Sequence, residues 1–200
     1  MTTADIITPM KPTPEVAPAA SMSYDRVTIA IHWTVAVMVL FQWFGAQAID
    51  WFPKGPARVD ARSVHITAGM ILVVVILFRI YWRSTAGRRL VAPGSPRAAL
   101  AAVLVHKALY LIVLLTLGLG IYNTWMRGDS LFELVKIPAF GDYDAATRHL
   151  LANDIVRWHK IAANTILAIA GAHACAALAH YFIFKDGVLQ RMVPAASPRE

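Results

Sequence analysis

Cysteine is almost absent from this chain of 200 residues. Cys175 is the only one, and it lies inside an apolar run, so no disulfide can form within the chain. The motif C-x-x-C-H, which attaches c-type haem covalently, is missing, and iron–sulfur ligation by four cysteines is excluded. Any haem in this protein must therefore be held without thioether links.

Charged residues are also scarce, at 16% of the chain, whereas hydrophobic residues make up 58%. A soluble domain is nearer about half apolar and a quarter charged. One water-soluble core cannot bury this much apolar surface in 200 residues, so lipid is the expected solvent. The net charge of +7 does not indicate a nucleic acid partner, because the basic residues lie at the ends of apolar runs.

Four apolar runs are long enough to cross a bilayer, which takes about 20 residues each. They predict an all-α membrane protein, a four-helix transmembrane bundle with helices at about 27–49, 63–82, 100–125 and 155–184. We expect a transmembrane domain over 23–194, between a flexible tail at 1–22 and a C-terminal tail at 195–200. The stretch 46–48 resembles a signal-peptide cleavage site, but the first run is too long for a signal peptide and is expected to be retained.

The loop between the second and third predicted helices is strongly basic and has no acidic residue. Its basic residues, counted from the end of one helix to the start of the next, are Arg79, Arg83, Arg88, Arg89, Arg97 and Lys107. The loop between the third and fourth helices mixes acidic and basic residues. The positive-inside rule therefore places the basic loop and both termini in the cytoplasm.

Histidines are frequent in the apolar runs, where ionisable residues are costly and usually have a function. On the fourth helix, His159 and His173 are 14 residues apart, which places them on one face. Their separation along the axis is about 21 Å, which suits two haems stacked across one bilayer. His180 continues the same face. The full set is His32, His65, His106, His149, His159, His173 and His180.

Depth along the helices sorts these histidines into two groups. His65 and His159 are predicted near the outer surface, where they can ligate an outer haem. His32 is predicted toward the cytoplasm, where either His173 or His180 can be its partner at an inner haem. Two neutral imidazoles leave no open position on the iron, which favours electron transfer over oxygen binding.

Two arginines are predicted close to the inner haem. Arg26 and Arg79 lie near the inner ends of the first and second helices. Arginine pairs with carboxylates through planar hydrogen bonds, so both are candidate partners for the haem propionates. As single residues, both are better explained as interfacial anchors.

Several fragments of the sequence, taken as a set, resemble the bacterial cytochrome b561 family. The similarity extends over residues 24–194. It implies a di-haem b cytochrome of the bacterial inner membrane, in which His32 pairs with His173 and His65 with His159. The fragments are Tyr24-Asp25-Arg26, Ile31-His32-Trp33, Val64-His65-Ile66, Arg157-Trp158-His159-Lys160, the run from Gly171 to Tyr181, and the ending from Phe184 to Met192.

The resemblance also implies an activity. Some stand-alone members of this family are superoxide oxidases, which take an electron from superoxide outside the cell membrane and reduce ubiquinone. Because this chain is similar to them in length, we expect superoxide:ubiquinone oxidoreductase activity. With His173 as the axial ligand, His180 becomes a candidate for the quinone site, and His106 a candidate helper. The basic residues expected to attract superoxide are Lys54, Arg58, Arg62, Arg127, Arg148 and Arg157.

Two other functions compete with this one. The chain can be an electron-relay subunit of a larger membrane dehydrogenase or hydrogenase complex, with quinone and a partner subunit as its only contacts. It can also be a transporter or structural protein whose histidines bind protons or a metal. A haem spectrum would exclude the transporter or structural protein. Activity of the purified chain alone would exclude the relay subunit.

Overall fold

Four long helices make up the fold. The computed structural model describes residues 23–90 and 95–193, so the predicted tails at 1–22 and 195–200 lie outside the described residues. The helices are α1 (Arg26–Ala48), α2 (Pro56–Thr85), α3 (Pro96–Arg127) and α4 (Ala145–Ala179). All four are long and apolar enough to cross a membrane, which confirms the predicted transmembrane helical bundle. Short 3-10 helices lie at Ile49–Trp51 and Leu189–Met192, and α4 continues into a π-helical turn at His180–Phe184.

Side-chain caps explain where three of the helices begin. Asp25, Ser95 and Asp144 each accept a hydrogen bond from the backbone N–H three residues further on, at 2.8, 3.3 and 2.8 Å. α2 begins instead with Pro56, whose fixed φ suits the first helical position.

Two helices begin well before their apolar runs. α2 begins at residue 56 rather than near 63, and α4 at 145 rather than near 155. The polar first turns of these helices carry no hydropathy signal, so the apolar runs alone predict starts that are too late in the sequence. The capping residues mark the true starts.

Asp25 joins the start of α1 to the end of α2. Beyond its contacts with Thr28, its carboxylate accepts hydrogen bonds from Trp82 Nε1 at 3.1 Å and from the Arg88 backbone N–H at 3.0 Å. Partial burial acts to raise the pKa of Asp25, but the hydrogen bonds from Thr28, Arg88 and Trp82 outweigh it and hold that pKa far below its ordinary value. We call this end of the bundle, which carries the basic loop, the inner end.

The buried core is small, because most large apolar side chains face outward. Ile76, Val113 and Ile166 come together from α2, α3 and α4. In contrast, the side chains of Val74 and Leu111 are 67% and 71% exposed. Exposed apolar surface on this scale needs a nonaqueous environment, and lipid provides it. α1 packs mainly along α2, and α3 along α4.

A β-hairpin follows α3 at the outer end. Strand β1 (Ser130–Leu131) pairs antiparallel with β2 (Val135–Lys136). Phe132 and Glu133 in the turn have φ of 52° and 59°, the left-handed conformations of a type I′ turn. Residues other than Gly, Asn and Asp rarely adopt this backbone conformation, so other contacts must hold the turn in place.

Those contacts come from α2 and from the end of α3. The fully buried Ser63 hydroxyl accepts a hydrogen bond from the Phe132 N–H at 2.8 Å and donates to the Val59 carbonyl at 2.8 Å. Asp129, also buried, forms ion pairs with Arg62 and Arg127 at 3.3 and 3.4 Å. One carboxylate therefore joins α2 to α3 and seats the hairpin between them.

Candidate functional site

Two histidine pairs lie at different depths in the bundle. The ring centres of His32 and His173 are 6.4 Å apart, and those of His65 and His159 are 6.3 Å apart. Two imidazoles that bind one metal ion from opposite sides have ring centres about 6 Å apart, since each metal–nitrogen bond is about 2 Å and each nitrogen lies about 1 Å from its ring centre. Both pairs therefore fit a haem iron between them.

A backbone hydrogen bond fixes the orientation of the His159 ring in the outer pair. Its Nδ1 lies 2.9 Å from the backbone carbonyl of Thr116, and a carbonyl can only accept, so Nδ1 carries the proton and donates it. The lone pair is then on Nε2, which is the nitrogen left to bind a metal. A Cβ at Gly120 would lie 3.1 Å from Cε1 of this ring, so glycine there makes room for the imidazole.

The partner histidine, His65, is positioned through its backbone. Gln42 Nε2 donates a hydrogen bond to the His65 carbonyl at 3.0 Å, across the contact between α1 and α2. A Cβ at Gly69 would lie 2.8 Å from that amide nitrogen, so glycine at this position admits the glutamine. Among residues 23–90 and 95–193, the Nδ1 atom of His65 has no hydrogen-bond partner, although it is buried. This polar group needs a partner that the described part of the chain does not provide.

A cavity of about 340 Å³ opens between the two outer histidines. Its volume is typical of small-molecule sites, which are mostly apolar with a few polar groups. Trp43, whose Nε1 donates to Asn164 Oδ1 at 2.9 Å, forms part of the wall. The donor set, the apolar lining and the space together fit a haem. Other lining residues are Val39, Gln42, Leu72, Val113, Leu117 and Ile166.

The inner pair has a cationic neighbour. Arg79 is buried, at 9% exposure, and its Nη2 lies 3.0 Å from His32 Nδ1. Its Nε donates to the hydroxyl of Tyr110 at 2.9 Å, while its Nη1 is buried and has no partner in the part of the chain that the structure describes. A buried guanidinium with an unused N–H group fits a haem propionate, which is a carboxylate. His106 adds a third imidazole, with its ring centre 5.1 Å from that of His173.

The remaining predicted residues lie further out. Arg26 is exposed at the first turn of α1. His180 forms a 2.6 Å contact with the Asp186 carboxylate, in the π-helical turn that ends α4. Desolvation acts to raise the pKa of Asp186, but the hydrogen bond from His180 lowers it below its ordinary value. His180 lines neither the cavity between His65 and His159 nor a second cavity at the outer end of the bundle. Its ring contacts Phe184.

A second cavity, of about 390 Å³, lies at the outer end between α3 and α4. Arg127, Arg148, His149 and Asn153 line it. Arg148 donates to the carbonyls of Met126 and Phe140 at 2.9 and 3.0 Å, so it also fastens the outer loop to α4. His149 is exposed, as expected of a surface residue.

Several of these contacts are not evident in the sequence. Tyr110 lies four residues after His106 and so shares its helix face, a signal that could have pointed to it. Gln42 is a polar residue within an otherwise apolar run, which is a second usable signal. The carbonyl of Thr116 has no side-chain signature, and Gly120 is one of several glycines in the helices.

Comparison with known proteins identifies a family for this chain. The family model of prokaryotic cytochrome b561 matches residues 23–195. A probable superoxide oxidase CybB of Yersinia pestis is 27% identical over 172 residues, covering 86% of this chain and 96% of that protein. Cytochrome b561 homolog 1 of Escherichia coli is 29% identical, covering 86% of this chain and 97% of the relative. Cytochrome b562 of Cereibacter sphaeroides is 30% identical, covering 85% of this chain and 94% of the relative.

The match to the family extends over nearly the whole transmembrane part of the chain. Its helices, its histidines at membrane depth and its relatives agree on one type of protein. The chain belongs to the prokaryotic cytochrome b561 family, as a multi-pass bacterial membrane cytochrome that binds haem b and transfers electrons.

Proposed function

We propose that this protein holds two b-type haems and passes electrons from superoxide at the outer face to ubiquinone in the membrane. The observation that carries the proposal is the repeated 6.3–6.4 Å separation of two histidine rings, once at each end of the bundle. His32 and His173 would hold the inner haem, and His65 and His159 the outer haem. Bound haem would supply an iron centre that gains and loses one electron at a time.

The protein's own part is to orient ligands and exclude water. The Thr116 carbonyl sets the His159 tautomer, and Gln42 fixes the backbone that carries His65. Because two histidines would hold each haem, the chemistry it would supply is electron transfer rather than oxygen binding.

Superoxide is supported as the donor by the name of one relative, a probable superoxide oxidase, and by the outer cavity with its two arginines. Two superoxide anions would release two electrons and leave two molecules of dioxygen. One ubiquinone would take up those two electrons and two protons to form the quinol. His106 and His180, at the inner end, are the imidazoles we assign to the quinone site and its protons.

The inner bacterial membrane, with both termini in the cytoplasm, follows from the positive charge of the loop between α2 and α3. In that orientation the outer haem faces the periplasm, where superoxide would arrive. Ion pairs of Arg58 with Asp50, and of Arg62 and Arg127 with Asp129, reduce the positive field there. Within residues 23–90 and 95–193, Lys54, Arg148 and Arg157 form no ion pair, so we expect the rate with superoxide to fall with added salt mainly through these three.

The first experiment is an optical spectrum of the purified chain, oxidised in air and then reduced with dithionite, together with a pyridine haemochrome assay. Two haems per chain with low-spin b-type bands are expected. His32→Ala and His65→Ala should each lose one haem, whereas the exposed control His149→Ala should keep both. A protein without haem, expressed with haem freely available, would contradict the proposal.

Activity comes second. Superoxide generated in solution should reduce the haems of the purified chain, and added ubiquinone should reoxidise them. If two haems are present but superoxide does not reduce them, the alternative is favoured: an electron-relay subunit that works only with a dehydrogenase or hydrogenase partner.

A further inference from the structure

The outer cavity between α3 and α4 lies next to exposed tryptophans of the membrane-spanning helices. Trp125 on α3 precedes the lining Arg127 by two residues, and Trp158 on α4 follows the lining Val156 by two residues. The two indole residues are 49% and 61% exposed. Exposed tryptophans near the end of a membrane span are typical of the boundary between acyl chains and headgroups. The cavity therefore lies at the headgroup level of the outer leaflet.

One face of α4 forms most of the wall of this cavity, because its lining residues recur every three or four positions. Two of them are alanines, which leave space against the end of α3. A water molecule takes up about 30 Å³ in the liquid, and superoxide is little larger. A cavity of about 390 Å³ therefore fits a considerably larger group, of the size that small-molecule sites hold. The lining residues of α4 are Ala145, Arg148, His149, Ala152, Asn153 and Val156.

The cavity lining is positively charged. Arg127 and Arg148 belong to it, and none of the described residues that line it is acidic. Asp129, which lies outside the lining, forms ion pairs with both Arg62 and Arg127, and one carboxylate offsets the charge of only one guanidinium group. Arg148 forms no ion pair within residues 23–90 and 95–193. An excess of positive charge therefore remains at the cavity and favours an anion there.

The two arginines of the lining differ in the N–H groups that they have left. Arg148 already donates through Nη1 to the Phe140 carbonyl and through Nη2 to the Gly141 carbonyl, so it contributes charge from a fixed position. Arg127 contacts Asp129 through Nη2 at 3.4 Å, and in the described part of the chain its Nε and Nη1 form no hydrogen bond. These two groups can bind a ligand without breaking any contact that the structure shows. Guanidinium N–H groups match the spacing of two phosphate oxygens.

We propose that the outer cavity binds a phosphate group, which Arg127 holds by hydrogen bonds and Arg148 attracts by its charge. Two sources have this chemistry: the headgroup of an anionic phospholipid in the outer leaflet, and free phosphate in the aqueous phase. Basic pockets between membrane-spanning helices are known to bind phospholipid headgroups. The inference does not rest on the two-haem function, because the histidine pairs take no part in it. Phosphate bound here would reduce the positive field that attracts superoxide.

The test is binding to the purified and delipidated chain, with phosphatidylglycerol, phosphatidylcholine and inorganic phosphate as the probes. Native mass spectrometry counts the lipids retained, and calorimetry at constant ionic strength measures the binding of phosphate. Arg127→Gln should weaken binding about tenfold or more, the loss typical of a hydrogen bond to a charged group. Arg157→Gln is the matched control: it removes the same charge from an exposed position one residue beyond the lining, and it should bind like the wild type.

A second variant, Ala145→Leu, fills the cavity but keeps both arginines and the ion pair with Asp129, so it should also weaken binding. A preference for phosphatidylglycerol over phosphatidylcholine that both variants abolish identifies a lipid headgroup. Binding of inorganic phosphate that both variants abolish, without a lipid preference, identifies free phosphate. The proposal is wrong if neither probe binds, if Arg157→Gln loses as much as Arg127→Gln, or if Ala145→Leu binds like the wild type. Should Arg127→Gln fail to fold, Ala145→Leu decides alone.

Discussion

Gly120 faces the imidazole of His159 so closely that a Cβ at position 120 would lie 3.1 Å from the ring carbon Cε1. The ring is also held by the hydrogen bond from Nδ1 to the Thr116 carbonyl, one turn earlier on the same helix. Since both contacts come from α3, this helix sets the orientation of a ligand that belongs to α4.

The substitution Gly120→Ala is therefore expected to displace the His159 ring by a few tenths of an ångström and weaken the outer haem site. We expect lower haem content or an altered spectrum for one haem of the two. Gly118→Ala is the control, because a Cβ there has open space around it. It should keep both haems and gain stability, as alanine favours the helix by about 1 kcal/mol over glycine. Equal haem spectra in the two variants would show that the contact is unimportant.

Ser63→Ala should loosen the outer hairpin. The change leaves the Phe132 N–H without its 2.8 Å acceptor, and a buried unsatisfied donor costs about 1–3 kcal/mol. We expect faster proteolysis within residues 128–144 in detergent. Ser84→Ala on the same helix removes an exposed hydroxyl that bonds only to the Tyr81 carbonyl, so it should cleave like the wild type.

Asp25 makes stability depend on pH at the acidic end. Its pKa in the folded protein is depressed by hydrogen bonds from Thr28, Arg88 and Trp82, against the opposing effect of burial. A depressed carboxylate stabilises the fold fully above its unfolded pKa of about 3.9, and this contribution is lost as the pH falls from there toward the folded value. Thermal unfolding at pH 3 to 6 should therefore be less pH-dependent in Asp25→Asn than in the wild type. Parallel curves for the two proteins would rule out this role, because Asp144 and Asp186 are unchanged between them.

His180→Ala is expected to keep both haems and slow the reduction of ubiquinone by about 100-fold or more, the usual loss when a proton-transfer group is removed. Asp186→Asn, which keeps the hydrogen-bonding shape but not the charge opposite His180, should slow it less. Thr165→Ala, which removes an exposed hydroxyl from the same helix, is the control and should be unaffected. Loss of one haem in His180→Ala would instead identify His180 as an axial ligand.

Hydropathy was sufficient to predict the helices and their number, because a run of 18 or more mostly apolar residues is typical of a membrane-spanning helix. It was not sufficient for the helix starts, since the first turns of α2 and α4 are polar and depend on Pro56 and Asp144. The hairpin turn at Phe132 and Glu133 was also beyond sequence reasoning. Neither residue favours a positive φ, and the turn depends on contacts with residues far away in the sequence.

The candidate site was likewise only partly predictable from the sequence. Counting depth along the helices brought His65 and His159 to one level, which is where the structure places them, but it left His173 and His180 as alternatives for His32. The structure brings His173 next to His32 and turns His180 toward Asp186. The seven residues from His173 to His180 are α-helical, so His180 lies about 10 Å further along the axis, beside the π-helical turn that brings Asp186 to it.

The histidine pairs come from α1, α2 and α4, whereas α3 provides the Thr116 carbonyl, Gly120, Tyr110 and His106 around them. In the proposed two-haem function, α3 thus adjusts the sites without holding a metal, whereas α1 and α2 do both. Substitutions on α3 can alter how readily each centre accepts an electron while leaving the means of holding the metal intact. A protein divided in this way can be adapted to a new donor or acceptor by changing a single helix.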